Sequence, residues 1–202
     1  MDYHLTLTGK KFGMKTNILK KNLIILIFFF LNTSVVANEE AKYDIIYKSN
    51  IYEIRFYPER LVVETKNNLN SSAFKKLFNY ISGTNNTSKK IEMTIPVTQI
   101  KKDNTNFMQF ILPSKFNKKT IPIPLNSDVE ISIIEEGYFA VIKYSGRSSD
   151  KNFTKYSKTL QEKLLEDKIL IKGLPIKATY NGPFTLPLLR RNEAMFNIEW
   201  KN

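Results

Sequence analysis

The sequence predicts an α+β fold: a distorted antiparallel β-barrel or curved sheet built from two ββαββ-like repeats, with two packed amphipathic helices. Three observations carry this prediction. Short segments of alternating apolar and polar residues, bounded by Pro, Gly or Asn, read as strands. Two longer segments switch to the helical period. The order strand, strand, helix, strand, strand occurs twice, over about residues 43–113 and 128–200, and such repetition constrains architecture. Each unit has a one-sided sheet and one helix, so the two bury their apolar faces by joining. A chain of 202 residues, 42% hydrophobic and 25% charged, has the size and composition of one globular domain.

In the first repeat, "IYEIRFYP" alternates Tyr52, Ile54 and Phe56 against Glu53, Arg55 and Tyr57, and stops at Pro58. Pro58-Glu59-Arg60 is turn-like, and "LVVET" from Leu61 reads as the returning strand. Ser71 or Ser72 can cap a helix whose Phe74, Leu77, Phe78 and Ile81 form one stripe, taken as core, with Gly83 placed to end it. "IEMTIPVTQ" puts Ile91, Met93, Ile95 and Val97 on one side of a strand. Pro96 interrupts it and predicts a sheet edge or a bulge, because proline donates no ladder hydrogen bond. "NFMQFILP" is the next strand. After the connector "SKFNKKTIPIPLNS", Val129–Ile134 and Tyr138–Tyr144 read as two strands joined through Glu135-Glu136-Gly137. Ser149 or Asp150 caps a longer helix with Phe153, Tyr156, Leu160 and Leu164 on its core stripe. "LPIKATYNGPF" and "EAMFNIEW" supply the last two strands.

The N-terminus reads as a targeting segment. Lys20 and Lys21 precede the apolar run Leu23–Leu31, and small residues follow at Val35 and Ala37: a signal peptide over 1–37, with Met14 as an alternative start. Nine apolar residues are too few for a bilayer core, which needs about 20. An uncleaved membrane anchor is the alternative reading. Cleavage after Ala37 leaves a single domain, 38–202, in the periplasm or secreted, and lowers the net charge from +12 to +8. The remaining basic residues are scattered in pairs without a run. They describe a solvated surface rather than a nucleic-acid groove.

There is no Cys, which excludes disulfides and a Cys-linked lipid anchor, and the only His is His4. Residues 38–202 therefore lack the groups for Cys–His or Ser–His–Asp catalysis and for nitrogen- or sulfur-ligated zinc. No Gly-rich phosphate loop and no G-x-S-x-G elbow occurs. Glu53, Glu64, Glu92 and Glu135 have no spacing that argues for paired acid–base work. These absences exclude most enzyme classes.

Six segments carry a resemblance: "YEIRFYPERLVVET", "AFKKLFNYISG", "KIEMTIPVTQ", "FILPSKF", "FAVIKYSGR" and "PFTLPLLRRNEAMF". In this order, from about Tyr43 to Trp200, they resemble the successive motifs of the SOUL haem-binding protein family. The M-T-x-P-V and L-R-R-N-E stretches are the most specific. The resemblance implies a distorted β-barrel of two repeats flanked by helices, and a non-enzymatic carrier, buffer or scavenger of haem or a related tetrapyrrole. Some members hold the iron through a His and others use a shallow apolar cleft. With His4 alone, this chain departs from the first mode.

A haem site needs an apolar slot and cations for two propionates. Met93 is the candidate iron contact and Ile95 its apolar neighbour, with Met108, Met195 and tyrosines as the other ligand types present. Arg55, Lys89, Lys90, Arg147, Arg190 and Arg191 are the candidate propionate partners. Arg190 has a competing role, pairing with Glu193 or Glu199 to hold the last strand. "PFTLPLL" reads as a rigid apolar loop able to roof a cleft or to cover a sheet edge. The alternative function is an interaction or small-amphipath-binding module on the same fold. The two-repeat architecture also resembles ligand-sensing domains of some bacterial regulators.

Overall fold

Among the described residues, nine strands form one curled antiparallel sheet, and two helices lie against it. The computed structural model describes Met1 and residues 38–66, 72–103 and 105–201; the expected signal peptide lies outside the described residues. In chain order the elements are β1 (Glu39–Glu40), β2 (Asp44–Lys48), β3 (Glu53–Tyr57), β4 (Arg60–Lys66), α1 (Ala73–Ile81), β5 (Thr94–Ile95), β6 (Val97–Lys102) and β7 (Thr105–Ile111). There follow β8 (Val129–Ile134), β9 (Gly137–Tyr144), α2 (Asp150–Glu166), β10 (Ile176–Thr179), a 3₁₀ turn (Pro187–Leu189) and β11 (Asn192–Ile198). The sheet order is β2-β3-β9-β11-β10-β6-β7-β4-β8.

This order reads the same from either side of the β10–β6 pair. The triplet β4-β7-β6 of the first unit matches β9-β11-β10 of the second, and β6 pairs with β10 where the units meet. The leading strand of each unit is exchanged: β3 pairs with β9, and β8 pairs with β4. The expected return of β4 alongside β3 is therefore not formed, and β8 does not pair with β9. Two-residue hairpins favour positive φ in the turn, and Pro58-Glu59 and Glu135-Glu136 do not adopt it. Asp103 does, with φ 46°, and the strands flanking Asp103-Asn104 form a true hairpin with Lys102 opposite Thr105.

Alternation along the strands divides the core. Leu61, Val63, Met108, Phe110 and Val129 face α1. Ile54, Ala140, Ile142, Ala194, Phe196 and Ile198 face α2. Tyr57, Phe139, Val141, Ala178, Tyr180 and Met195 form a third cluster on the helix-free face. Ser72 caps α1 by accepting the Lys75 amide (3.2 Å), and Ser149 caps α2 by accepting the Asn152 amide (3.3 Å). Gly83, at φ 118°, lets the chain leave α1. Leu160 and Leu164 of α2 are completely buried, each contributing about 1.5–3 kcal/mol. In α1 the buried stripe is Ala73, Leu77, Tyr80 and Ile81; Phe74 and Phe78 are half-exposed and stack on each other. The expected stripe is rotated because Tyr80, whose hydroxyl donates to the Pro122 carbonyl, takes an inward place.

Pro96 breaks its strand rather than marking an edge or a bulge. Thr94–Ile95 pairs in parallel with β1, while Val97 starts β6 in the middle of the nine-strand sheet. The Ile95–Pro96 peptide is cis. The four alternating side chains do not share a face: Ile91, Met93 and Val97 pack with the α1 core, and Ile95 with the helix-free cluster.

Candidate functional site

The helix-free face carries a buried charge network centred on Arg55. Odd-numbered residues of β3 point to this face, so Glu53, Arg55 and Tyr57 line up, and Glu193 reaches the same point from β11. All five guanidinium N–H groups are used. Arg55 donates to both Glu53 (2.8 and 2.9 Å) and Glu193 (3.0 and 3.0 Å), and to the Tyr57 hydroxyl (3.0 Å). Glu193 also accepts from Arg191 (2.9 and 3.0 Å) and the Tyr180 hydroxyl (2.6 Å). Arg191 stacks on Tyr180 and donates to Glu40, and Tyr43 lies over Arg55. Burial by itself would lower the Arg55 pKa; the Glu193 hydrogen bonds and charge, helped by Tyr57, reverse this and hold it raised. Burial likewise opposes ionisation of Glu53, and hydrogen bonds from Arg55 and Lys143 overcome it, holding that carboxyl below its usual value.

A different arrangement occurs at the loop before β11. Phe184, Leu186, Leu188 and Leu189 are 98%, 67%, 86% and 71% exposed, four large apolar side chains within six residues. The loop is nonetheless held. Arg190 donates to the Thr185 carbonyl (2.8 Å) and to the Pro183 carbonyl, and the Gly146 amide donates to Pro187 (2.8 Å). Gly146 has φ 100°, a conformation other residues rarely adopt. Its loop brings Arg147 and the capped start of α2 beside the apolar segment. Together they form an open cleft of about 470 Å³, lined by Arg147, Ser148, Ser149, Pro183–Pro187 and Arg190. Its volume lies in the range of small-molecule sites. Arg147 is exposed and makes no ion pair among the described residues.

A second cleft, of about 580 Å³, lies where the chain turns from β3 to β4 and passes under residues 113–119. Arg60, at the start of β4, forms part of its wall. The Arg60 guanidinium carbon lies 4.3 Å from the centre of the Tyr57 ring and 5.1 Å from that of Phe139, beside an edge-to-face ring pair, and its Nε and Nη2 are buried with no hydrogen-bond partner among the described residues. Burial lowers its pKa to about 10, opposed only weakly by Tyr57 and Tyr180. The two clefts share no lining residue.

The sequence-derived candidates are thus dispersed. Arg147 and Arg190 come together at the loop cleft, though Arg190 spends its donors on backbone carbonyls. It does not pair with Glu193 or Glu199; its neighbour Arg191 takes Glu193 instead. Arg55 and Arg191, expected to meet propionates, are engaged in the buried network, where their donors already face carboxylates. Lys89 and Lys90 are exposed on the loop before β5, away from the walls of both clefts. Met93 packs against the α1 core and Ile95 against the helix-free cluster, and neither lines either cleft. That two Arg60 donors are buried was not legible, since an Arg after Pro-Glu looks like an ordinary turn cation. The apolar loop was legible, because so many large apolar residues between prolines form no periodic pattern.

Comparison with known proteins agrees with this architecture. The model of the family described as SOUL heme-binding protein matches residues 38–197. Heme-binding protein 2 of Homo sapiens is 32% identical over 162 residues, covering 73% of this chain and 78% of its own. Its Mus musculus counterpart is 31% identical over 174 residues, covering 79% and 83%. Among solved structures, the EcmrR C-terminal domain aligns with a TM-score of 0.55 at 14% identity, over 78% of this chain and 98% of that domain, a likeness of fold alone. With the matched region running through the charge network, the apolar loop and both clefts, this chain is a member of the SOUL haem-binding protein family.

Proposed function

We propose that this protein is an exported, non-enzymatic carrier or scavenger that binds haem or a related tetrapyrrole at the cleft between Arg147–Ser149 and the Pro183–Arg190 loop. One observation carries the location: Phe184, Leu186, Leu188 and Leu189 stand exposed on a loop held in place by Arg190 and Gly146. Covering that apolar surface is favourable by roughly 25 cal/mol per Å². Arg147 at the same cleft is the residue suited to a propionate. The other half of the chemistry is supplied by the tetrapyrrole, a flat apolar ring with two carboxylates.

Binding rests on apolar burial and charge pairing rather than on a strong axial ligand. Met93 is turned into the α1 core, and the single histidine, His4, belongs to the segment read as a signal. Family membership and the relatives' names support the haem reading.

Hemin titration of the purified protein, followed in the Soret region, tests it. Saturable one-to-one binding at micromolar hemin is expected, with at least a tenfold loss in a Phe184→Ser/Leu188→Ser variant. Equal affinity in that variant rejects the site, and no saturable binding rejects the function. Export is tested separately by the N-terminal sequence of protein recovered from outside the cytoplasm, which should begin at Asn38.

A further inference from the structure

We propose that the Pro183–Arg190 loop docks the protein on an anionic lipid bilayer, with Phe184, Leu186, Leu188 and Leu189 entering the interfacial layer. A ligand in the adjoining cleft does not account for all four. Phe184 and Leu186 line the cleft, whereas Leu188 and Leu189 do not, and these two are 86% and 71% exposed. Large apolar side chains clustered on a loop held in one shape mark a surface that meets another apolar phase. The backbone of the loop is suited to leaving water. Pro183 and Pro187 have no N–H to desolvate. The Thr185 and Leu189 amides donate to the Gly182 and Leu186 carbonyls, and the Pro183, Thr185 and Pro187 carbonyls accept from Arg190 and Gly146. Groups already bonded within the protein cost little to withdraw from water, whereas open ones are expensive.

Charge complementarity selects negative headgroups. Arg147 and Arg190 stand at the cleft beside the loop and Lys151 in the first turn of α2, and none of the three makes an ion pair among the described residues. The acids of this region are already matched: Asp150 pairs with Lys177, Glu40 with Arg191, and Glu193 with Arg55 and Arg191. An apolar tip accompanied by uncompensated cations is the pattern of an interfacial element. Apolar burial supplies the hold, and each cation near the surface adds attraction to anionic lipid. The same charges disfavour a second copy of this chain on the loop, because a two-fold contact would bring like cations together. Docking stands on the loop alone; its use, exchange of a tetrapyrrole between the lipid and the cleft, rests on the tetrapyrrole reading of that cleft.

Co-flotation of the purified protein, without hemin, tests the docking on two kinds of vesicle: phosphatidylcholine alone, and equal parts phosphatidylcholine and phosphatidylglycerol. Saturable binding to the anionic vesicles is expected, at least tenfold weaker on phosphatidylcholine alone. Phe184→Ser/Leu188→Ser should lose at least tenfold in vesicle affinity. Lys151→Glu, in a helix first turn where an acid is well placed, should weaken vesicle binding several-fold and leave hemin affinity in solution unchanged. In Phe184→Trp, the added tryptophan should shift its emission to shorter wavelength on the anionic vesicles, the sign of entry into the apolar layer. The proposal is overturned by absent binding to the anionic vesicles, by equal binding to the two compositions, or by unchanged vesicle affinity in either variant. An unshifted Phe184→Trp emission also overturns it, as adsorption without insertion. So does a concentration-dependent dimer that Phe184→Ser/Leu188→Ser abolishes, which would place a second copy on the loop. Hemin binding without vesicle binding rejects the docking alone; vesicle binding without hemin binding rejects the tetrapyrrole reading and with it the exchange.

Discussion

The adjacent residues Arg190 and Arg191 belong to two regions built on opposite principles. Arg191 closes the charge network on the helix-free face, where polar groups are buried and paired with one another. Arg190 serves the loop before β11, where apolar groups are exposed and only the backbone is tied down. In the first region the binding capacity of the side chains is already spent within the protein; in the second it is left open to a partner. Charge and aromatic content alone would have pointed to the first region as the ligand site. Donor-by-donor accounting shows why it is not: the five N–H groups of Arg55 all have acceptors.

The sharpest way to break this contrast is to remove Arg55. Arg55→Ala strands Glu53 and Glu193 without their shared cation and should cost about 3–5 kcal/mol by denaturant unfolding. Should the loss fall below about 1 kcal/mol, the network would have to be a loose surface cluster. Phe184→Ser/Leu188→Ser is the converse case. Hemin affinity should drop at least tenfold while stability changes by less than about 0.5 kcal/mol, as for other exposed positions.

The junction between the regions can be probed through Arg190. Arg190→Ala frees the Pro183 and Thr185 carbonyls, and should weaken hemin several-fold by loosening the loop while costing about 1–2 kcal/mol. Of the two regions, acid acts on the paired one. Glu53 has a folded pKa below its ordinary value of 4.5, so its contribution is present above that pH and is lost as the pH falls through the folded value. Stability should therefore decline below about pH 4.5, and Glu53→Gln should flatten the decline. Ser149→Ala is the mildest test. Losing the α2 cap beside the loop cleft should cost about 1 kcal/mol, visible as a small fall in Tm.

Much of this molecule was legible in its residues. The capping serines and the α2 stripe follow from short-range periodicity, which depends only on neighbours along the chain. Strand partners did not follow. Pro58-Glu59 and Glu135-Glu136 look like hairpin connections, and only the sheet reveals that β3 and β8 cross to the opposite repeat. Which cations are already engaged did not follow either, for the same reason. Arg55, Arg147, Arg190 and Arg191 are alike as letters; whether each meets a carboxylate, a carbonyl or solvent depends on strands distant in sequence.

The sequence by itself determined the α+β class, the family and the lack of histidine and cysteine chemistry beyond His4. Only the tertiary structure decided which cations remain available. Glu193 and Arg55 are separated by most of the chain, yet the pairing of β11 and β3 on either side of β9 places them in contact. Once those charges neutralise each other, Arg147 is left without an ion pair among the described residues, beside an exposed apolar loop. Local patterning specifies which residue types are present, but ligand availability is what remains after long-range contacts have used the rest.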